Sequence, residues 1–429
     1  MSYTLLANLT DSQQEAVSNN MKLLYETNTP ALSDIKASTK KRKITEKGYR
    51  IRKLEVLPGG HGFYKGASSG YNEPYPMQTS SMWVFPNRYA LSMQYDVALL
   101  EALQAGDNQA AKSLTETLQW HTVAVAKRMN QLIYGDGSGA IAYAATTLGS
   151  TGAGQTLAGE TAYAATAGHT KGTLRLEQGH RFQAINASTG AVRGTFTVTT
   201  PGSSSCVINL ESGTITSGDP IVDMGSYLCA PFGFAHLISP TNRILQGVDT
   251  ALHPKFNNPE QNLTGSNVTS GDIDDIKTKL DVRTNDEDGM QLKCFLGNGN
   301  YAILRKQGFG FRSYPISDSG DGGKTSTGIP NTYTENRVKF KVDADCDDDR
   351  LYFMTNEHIE SFIEKEVGLA DFDNQDWRMF QGASGYGSDI YMRALTWRGQ
   401  YGVGEMSDGR GGGLIRQTNQ TNVIQQATA

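Results

Sequence analysis

Apolar and polar positions change period several times along the chain, and each change predicts a different kind of element. Between Asp107 and Tyr134, Ala111, Leu114, Leu118, Val125, Met129 and Leu132 recur at helical spacing among Lys, Glu, Gln and Arg. Asp107 is a good N-cap and Gly135 the expected terminating glycine, so the pattern predicts one helix of about 28 residues, roughly 42 Å long. Shorter helical stripes occur at Ala16, Val17, Met21, Leu24 and Tyr25, behind a capping box at Thr10 and Gln13. Two more follow Asp272 (Ile273, Ile276, Leu280) and Asn356 (Ile359, Phe362, Ile363, Val367).

Elsewhere the pattern is extended. Tyr49 to Leu57 reads as a strand, Met82 to Phe85 and Tyr89 to Leu91 lead toward Tyr95, and the stretch from Pro58 to about Ser81 is rich in turn residues. Together they predict a long hairpin of about 20 residues per arm, roughly 60 Å. A two-stranded ribbon of that kind is marginal alone and needs another surface to lie on. From Gly172 to Val222 short alternating strands follow one another, with a hairpin signal at Asn186 to Gly190, as expected of a small inserted β domain. Arg337 to Val342 and Leu351 to Met354 flank an acidic turn, Asp343 to Asp349, and are expected to pair antiparallel. After Gly411-Gly412-Gly413 a Gln/Asn/Thr tail is expected to be loosely ordered beyond about Gln417.

Composition narrows the class. The 429 residues allow two or three domains, and an ordinary apolar content excludes disorder throughout. No apolar run reaches the roughly 18–20 residues that span a bilayer, and Met1 to Thr10 lacks the basic start of a secretion signal. Cys206, Cys229, Cys294 and Cys346 form no CxxC pair, so four buried, reduced thiols are expected. The formal charge of -5 conceals an asymmetry: Lys36 to Lys53 holds nine basic residues and one acid, a surplus of +8, which leaves −13 for the remainder. Such a segment reads either as a solvated arm or as one that crosses onto an acidic neighbour or a polyanion.

Motifs for chemistry are weak. Gly323-Lys324-Thr325 approaches a phosphate loop, but Asp318 stands where its first glycine belongs and Pro330 follows where a helix must begin. Gly149 to Thr156 has similar spacing with Gln155 in place of the lysine and reads as a linker. The acidic turn starts like a calcium loop but has Asp348 at the glycine position and Met354 at the last ligand position, so a solvated turn is the simpler reading. His121 reads as a structural histidine in the long helix. No catalytic, cofactor or metal residues are nominated, and no enzyme is expected; a nucleotide-binding enzyme using the Gly320 to Thr325 loop is the alternative from another class.

The order of parts, and the run Met129-Asn130-Gln131-Leu132-Ile133-Tyr134-Gly135-Asp136-Gly137-Ser138-Gly139 that ends the long helix, resemble the major capsid proteins of tailed bacteriophages with the Hong Kong 97-like fold. Leu57-Pro58-Gly59-Gly60 and Gln94-Tyr95-Asp96-Val97 look like the edges of that family's extended loop. The resemblance implies an α+β chain with an N-terminal arm (1–48), an extended loop (49–93), a peripheral domain (94–145 and 336–390), an inserted β domain (168–226), an axial domain (227–335 and 391–415) and a flexible tail (416–429). It implies hexamers and pentamers closing an icosahedral shell around double-stranded DNA in a virion assembled in the host cytoplasm. Expected partners are a separate scaffolding protein, a portal and decoration proteins, with no cofactor and no membrane; an encapsulin-like compartment is the same-fold alternative. Expected subunit contacts are Lys40, Lys41, Arg42, Lys43, Arg50, Arg52, His61, Phe63, Tyr64, Lys65 and Tyr71, with Lys65 also placed where some relatives form a Lys–Asn crosslink.

Overall fold

A computed structural model of the chain describes residues 29–38, 42–56, 78–96, 108–160, 171–284, 292–308, 332–335, 338–355, 358–369, 378–381, 387–404 and 411–418. Within these residues the architecture is α+β, built on three larger sheets and three apolar cores. The expected stripe at Thr10–Tyr25 and the Gly320–Thr325 loop lie outside them.

The first unit is organised by helix α2 (Asn108–Ile133) and strand β20 (Gly387–Val403). Strand β20 pairs antiparallel with β18 (Ile359–Leu369), β19 (Arg378–Gln381) and β4 (Asn87–Asp96), while β1 (Arg42–Lys43) runs parallel to β18. Val125, Met129 and Ile133 turn one face of α2 into a core with Phe234, Phe362, Leu395 and Trp397. Leu32 and Ile35 of α1 (Pro30–Ser38) join it. The second unit is a six-stranded sheet in the order β13 (Glu260–Thr264), β21 (Gly412–Thr418), β17 (Arg350–Met354), β14 (Leu292–Leu296), β16 (Val338–Val342), β15 (Thr332–Glu335). Helix α4 (Ser270–Thr284) covers it through Ile273, Ile276 and Leu280, the predicted stripe.

The third unit is the inserted β domain, in the order β5 (Ala140–Tyr143), β10 (Pro220–Asp223), β7 (Arg181–Ile185), β8 (Val192–Thr200), β9 (Ser205–Gly213), β6 (Gly152–Ala158). Its first and last strands are tied together: Ala145 N–H donates to Ala158 O and Glu160 N–H to Tyr143 O. The sheet thus closes on a core of Phe182, Phe196, Ile208 and Ile221 and leaves no long open edge. Val222 lies opposite Ala140, so the chain enters and leaves the unit side by side.

Several expectations are corrected. The inserted domain begins near Ala140 and not at 168, and Gly152–Ala158 is one of its strands, not a linker. The Ile359–Val367 stripe is a strand: Ile359 to Ile363 are all buried, and a strand covered on both faces also satisfies helical spacing. Strands β16 and β17 do not pair with each other, because β14 lies between them. Residues 338–354 therefore share a sheet with 260–264 and 292–296, whereas 391–403 belong to the sheet that also holds 87–96 and 359–369. Residues such as Phe234, Leu245 and Phe256 likewise join the α2 core.

The cap of α4 is Thr269, whose Oγ1 accepts from Asp272 N–H while Asp272 Oδ2 accepts from Thr269 N–H; Asp272 is the reciprocal partner. After α2 the left-handed glycines are Gly137 and Gly139, with φ 92° and 82°, not Gly135. Cys229 is exposed; the other three thiols are buried and all four are free. Gly412 and Gly413 start an interior strand, where a Cβ on Gly412 would meet His358 Nε2 at 2.6 Å, so the triple glycine reflects close packing rather than the start of a loose tail.

Candidate assembly surface

Strands β2 (Tyr49–Val56) and β3 (Gln78–Val84) form a two-stranded ribbon with Arg50 opposite Trp83, Ile51 opposite Met82 and Arg52 opposite Ser81. Alternation gives it two faces. Ile51, Met82 and Val84 are buried in the chain's own core, so the surface this part of the hairpin needs is supplied by its own body. The second arm also ends earlier than expected: after Phe85-Pro86 the chain leaves the ribbon and β4 pairs with β20, starting at Asn87 opposite Gly399. Pro86 has no N–H with which to continue the ladder.

The outer face carries Arg50, Arg52, Trp83 and Phe85. Trp83 and Phe85 are 42% and 56% exposed and stack with ring centroids 6.2 Å apart and planes 10° from parallel. The Arg50 guanidinium donates to Ser81 Oγ at 3.0 and 2.7 Å and lies 5.8 Å over the Trp83 ring. An exposed stack of two aromatic rings under a cation costs little conformational entropy to dock and offers a large apolar area.

The other expected contacts divide. Arg42 faces Glu360 of its own chain at 3.4 Å, and β1 is hydrogen-bonded alongside β18, so this portion of the basic segment is docked on its own subunit. Lys43 and Arg52 are exposed. Buried Lys53 donates to the Gly404 carbonyl. Lys40, Lys41, His61, Phe63, Tyr64, Lys65 and Tyr71 lie outside the described residues. His121 Nδ1 lies 2.7 Å from Thr117 O, one turn back, in keeping with a structural role.

Behind this surface lies a junction that local sequence reading missed. Asp343, expected in a solvated turn, is buried; its carboxylate accepts from Asn130 Nδ2 at 3.1 and 3.0 Å, Tyr134 OH at 2.9 Å and Ala31 N–H at 3.4 Å. Lys171 Nζ meets Asp348 Oδ1 at 2.9 Å, Arg175 Nη2 meets Asp347 Oδ1 at 3.3 Å, and Asn300 donates to Asp348 O at 2.7 Å. The acids diverge onto protein donors from α1, α2, α5 (Asn298–Gly308) and the inserted domain instead of converging on one point. Burial lifts the Asp343 carboxyl above its usual range, Asp345 adds to the rise, and the Asp345 N–H, Asn130 and Tyr134 hydrogen bonds oppose it. Burial raises Asp349 to about 6, with Arg350 pulling down and Asp347 pushing up. The signal for this junction lay in the Asn130 to Gly139 run, two of whose residues are the donors.

No family model matches the chain, and no curated protein matches its sequence. Solved structures are similar to it. The cyanophage A-1(L) capsid asymmetric unit matches over 92% of this chain and 93% of that one, at 11% identity and a TM-score of 0.48. The capsid of a native GTA particle matches over 90% of both chains, at 7% identity and a TM-score of 0.44. The satellite phage P4 procapsid including size determination (Sid) protein matches over 94% of this chain and 99% of that one, at 9% identity and a TM-score of 0.36.

Proposed function

We propose that this chain is the major capsid protein of a tailed bacteriophage, assembling as hexamers and pentamers into an icosahedral shell around double-stranded DNA. The observation that carries the reading is the outer face of β2–β3, where two stacked aromatic rings and two arginines stand in solvent on a ribbon that pairs with no third strand among the described residues. A face of this composition is suited to burial between proteins. The role is structural rather than enzymatic. The unit around α2 is the peripheral domain, the α4-covered sheet the axial domain, and residues 140–223 the insertion; the boundaries follow the sheets. Scaffolding, portal and decoration proteins are the remaining proposed partners, the virion the final location and the host cytoplasm the site of assembly.

Electron microscopy and sedimentation of the purified chain test this reading. Hexamers, pentamers or closed shells are expected, and a strictly monomeric chain at high concentration overturns it. Particles isolated from the producing cell should hold nuclease-protected double-stranded DNA; particles holding a protein cargo and no DNA assign the chain to a compartment shell instead.

A further inference from the structure

The inserted domain coheres by one kind of force and meets the rest of the chain by another. Its own core, built on Phe182, Phe196, Ile208 and Ile221, is apolar, whereas among the described residues the two other cores draw no side chain from 140–223. Four ion pairs join it to the body instead, in two groups. On α2, Lys127 Nζ lies 2.9 Å from Glu177 Oε1, and Arg128 Nε lies 3.2 Å from Asp223 Oδ2. On the acidic turn, Lys171 meets Asp348 and Arg175 meets Asp347, and Arg175 also donates to the Asp345 carbonyl. Each chain crossing carries a left-handed glycine: Gly139, with φ 82°, just before Ala140, and Gly225, with φ 69°, just after Asp223. A Cβ on Gly139 would meet Ser226 O at 2.6 Å, so the two crossings lie against each other and define a single line about which the domain can turn.

We propose that residues 140–223 are a hinged lid, latched by charge, which lifts as one body from α2 and from the acidic turn. The apolar core and the closed sheet keep the lid rigid when the latch opens, because no burial inside it is lost. The latch is the weaker set of contacts. Lys127 and Glu177 are 55% and 40% exposed, and a pair that wet holds little. The hold therefore rests on Lys171 and Arg175, whose side chains are 5% and 3% exposed. With the lid down, these two cations cover the Asp347 and Asp348 carboxylates. With the lid up, cations and carboxylates both face solvent, so one chain presents two different charged surfaces. The device belongs to the single chain and does not depend on the shell reading.

Spin labels on the full, unassembled chain test it. Ser188→Cys on the lid and Thr278→Cys on α4 place the labels at exposed positions, and Cys229→Ser removes the exposed native thiol. Double electron–electron resonance should give one dominant distance in this background. K171M/R175M should add a second distance, with a population at least about tenfold above its share in the background. Hydrogen exchange over residues 181–185 and 192–200 should stay at the wild-type level in the same variant. Because K171M/R175M leaves buried Asp347 without this cation, K171M/R175M/D347N/D348N, which removes both members of each pair, carries the same expectation where the double variant misfolds. An unchanged distance distribution in the fourfold variant overturns the lid. Loss of protection over 181–200 in step with the second distance also overturns it, because the domain then melts instead of lifting. Neither result bears on the shell reading, which sedimentation of the wild-type chain decides separately.

Discussion

Asn130 on α2 holds Asp343, 213 residues further along the chain: its Nδ2 lies 3.1 and 3.0 Å from the two carboxylate oxygens, and 2.8 Å from Asp345 Oδ2. One amide with two hydrogens faces three acidic oxygens in a buried site. Removing the donor leaves a buried carboxylate with fewer partners, a change that costs about 1–3 kcal/mol and more when the acceptor is charged. Asn130→Ala should therefore lower the unfolding free energy of the unassembled chain by about 3 kcal/mol. Asn130→Asp should cost more than Ala, because it adds a third acid beside Asp343, whose carboxyl burial already holds above its ordinary range. Urea unfolding checks both, and a near-neutral Asn130→Ala would show that the junction does not hold α2 to the turn.

The loop after α2 should be intolerant of side chains where backbone meets backbone. A Cβ on Gly233 would fall 2.5 Å from Gly135 O and closer still to Ile133 O, and neither carbonyl can rotate away. Gly233→Ala should yield insoluble chain or lose more than about 3 kcal/mol. Gly154, with φ 75° and nothing within 4 Å of an added Cβ, should lose only about 1 kcal/mol on the same change. Comparing the two melting temperatures separates close approach from backbone conformation.

What the sequence made legible follows from how local each interaction is. Helix α2 and the Arg181–Ile185 to Thr195–Val198 hairpin were readable because their signals, period and turn residues, lie within the elements themselves. Strand β18 was misread because burial on both faces erases alternation, and its five consecutive buried positions include Glu360, whose partner Arg42 is 318 residues away. The three glycines at 411–413 look like a tail until Thr355, His358 and Leu280 are seen to fill the space their missing side chains leave. The acidic turn was read as solvated for the same reason. Its partners Ala31, Asn130, Lys171 and Arg175 arrive from three distant segments, and no local pattern in Asp343–Asp349 announces them.

Buried histidines should dominate the acid limb of stability. Burial, with Lys53 and Arg243 adding to the effect, lowers His358 to about 3; burial, with Arg243 again adding, lowers His236 to about 4. Each folded value lies below the unfolded one, so their contribution is present above about pH 6.5 and is lost as pH falls toward those values. Asp349 acts in the opposite sense: its folded value near 6 lies above the unfolded one, so its contribution is present in acid and is lost as pH rises through about 6. Between pH 6 and 4 the two histidines act against Asp349 and against Asp343 and Glu160, whose carboxyls burial also raises, and stability should fall on acidification. His358→Gln retains a donor for Leu237 O and removes one titrating group. It should make that slope shallower by about 1.4 kcal/mol per pH unit in urea titrations at pH 4, 5 and 6.

Helix α1 carries a buried acid of its own, in addition to the bond its Ala31 N–H makes to Asp343. Asp34 Oδ2 accepts from Lys293 Nζ at 2.6 Å, and Oδ1 accepts from Lys341 Nζ, so one carboxylate joins α1 to both β14 and β16. Burial lowers the Lys293 amine below its usual range, and the Asp34 hydrogen bond and charge oppose that shift. Asp34→Ala should leave two like charges facing each other in a half-dry site, at a cost of about 3 kcal/mol. Asp34→Ala/Lys293→Met/Lys341→Met, which removes the charges along with the acid, should recover a large part of that loss. Hydrogen exchange over residues 30–38 reads the anchor directly: protection should collapse in Asp34→Ala, while the protection of α2 near Val125 and Met129 stays close to wild type. If α1 kept its protection in Asp34→Ala, its hold would have to come from Leu32 and Ile35 in the α2 core, and the acid would be a passenger.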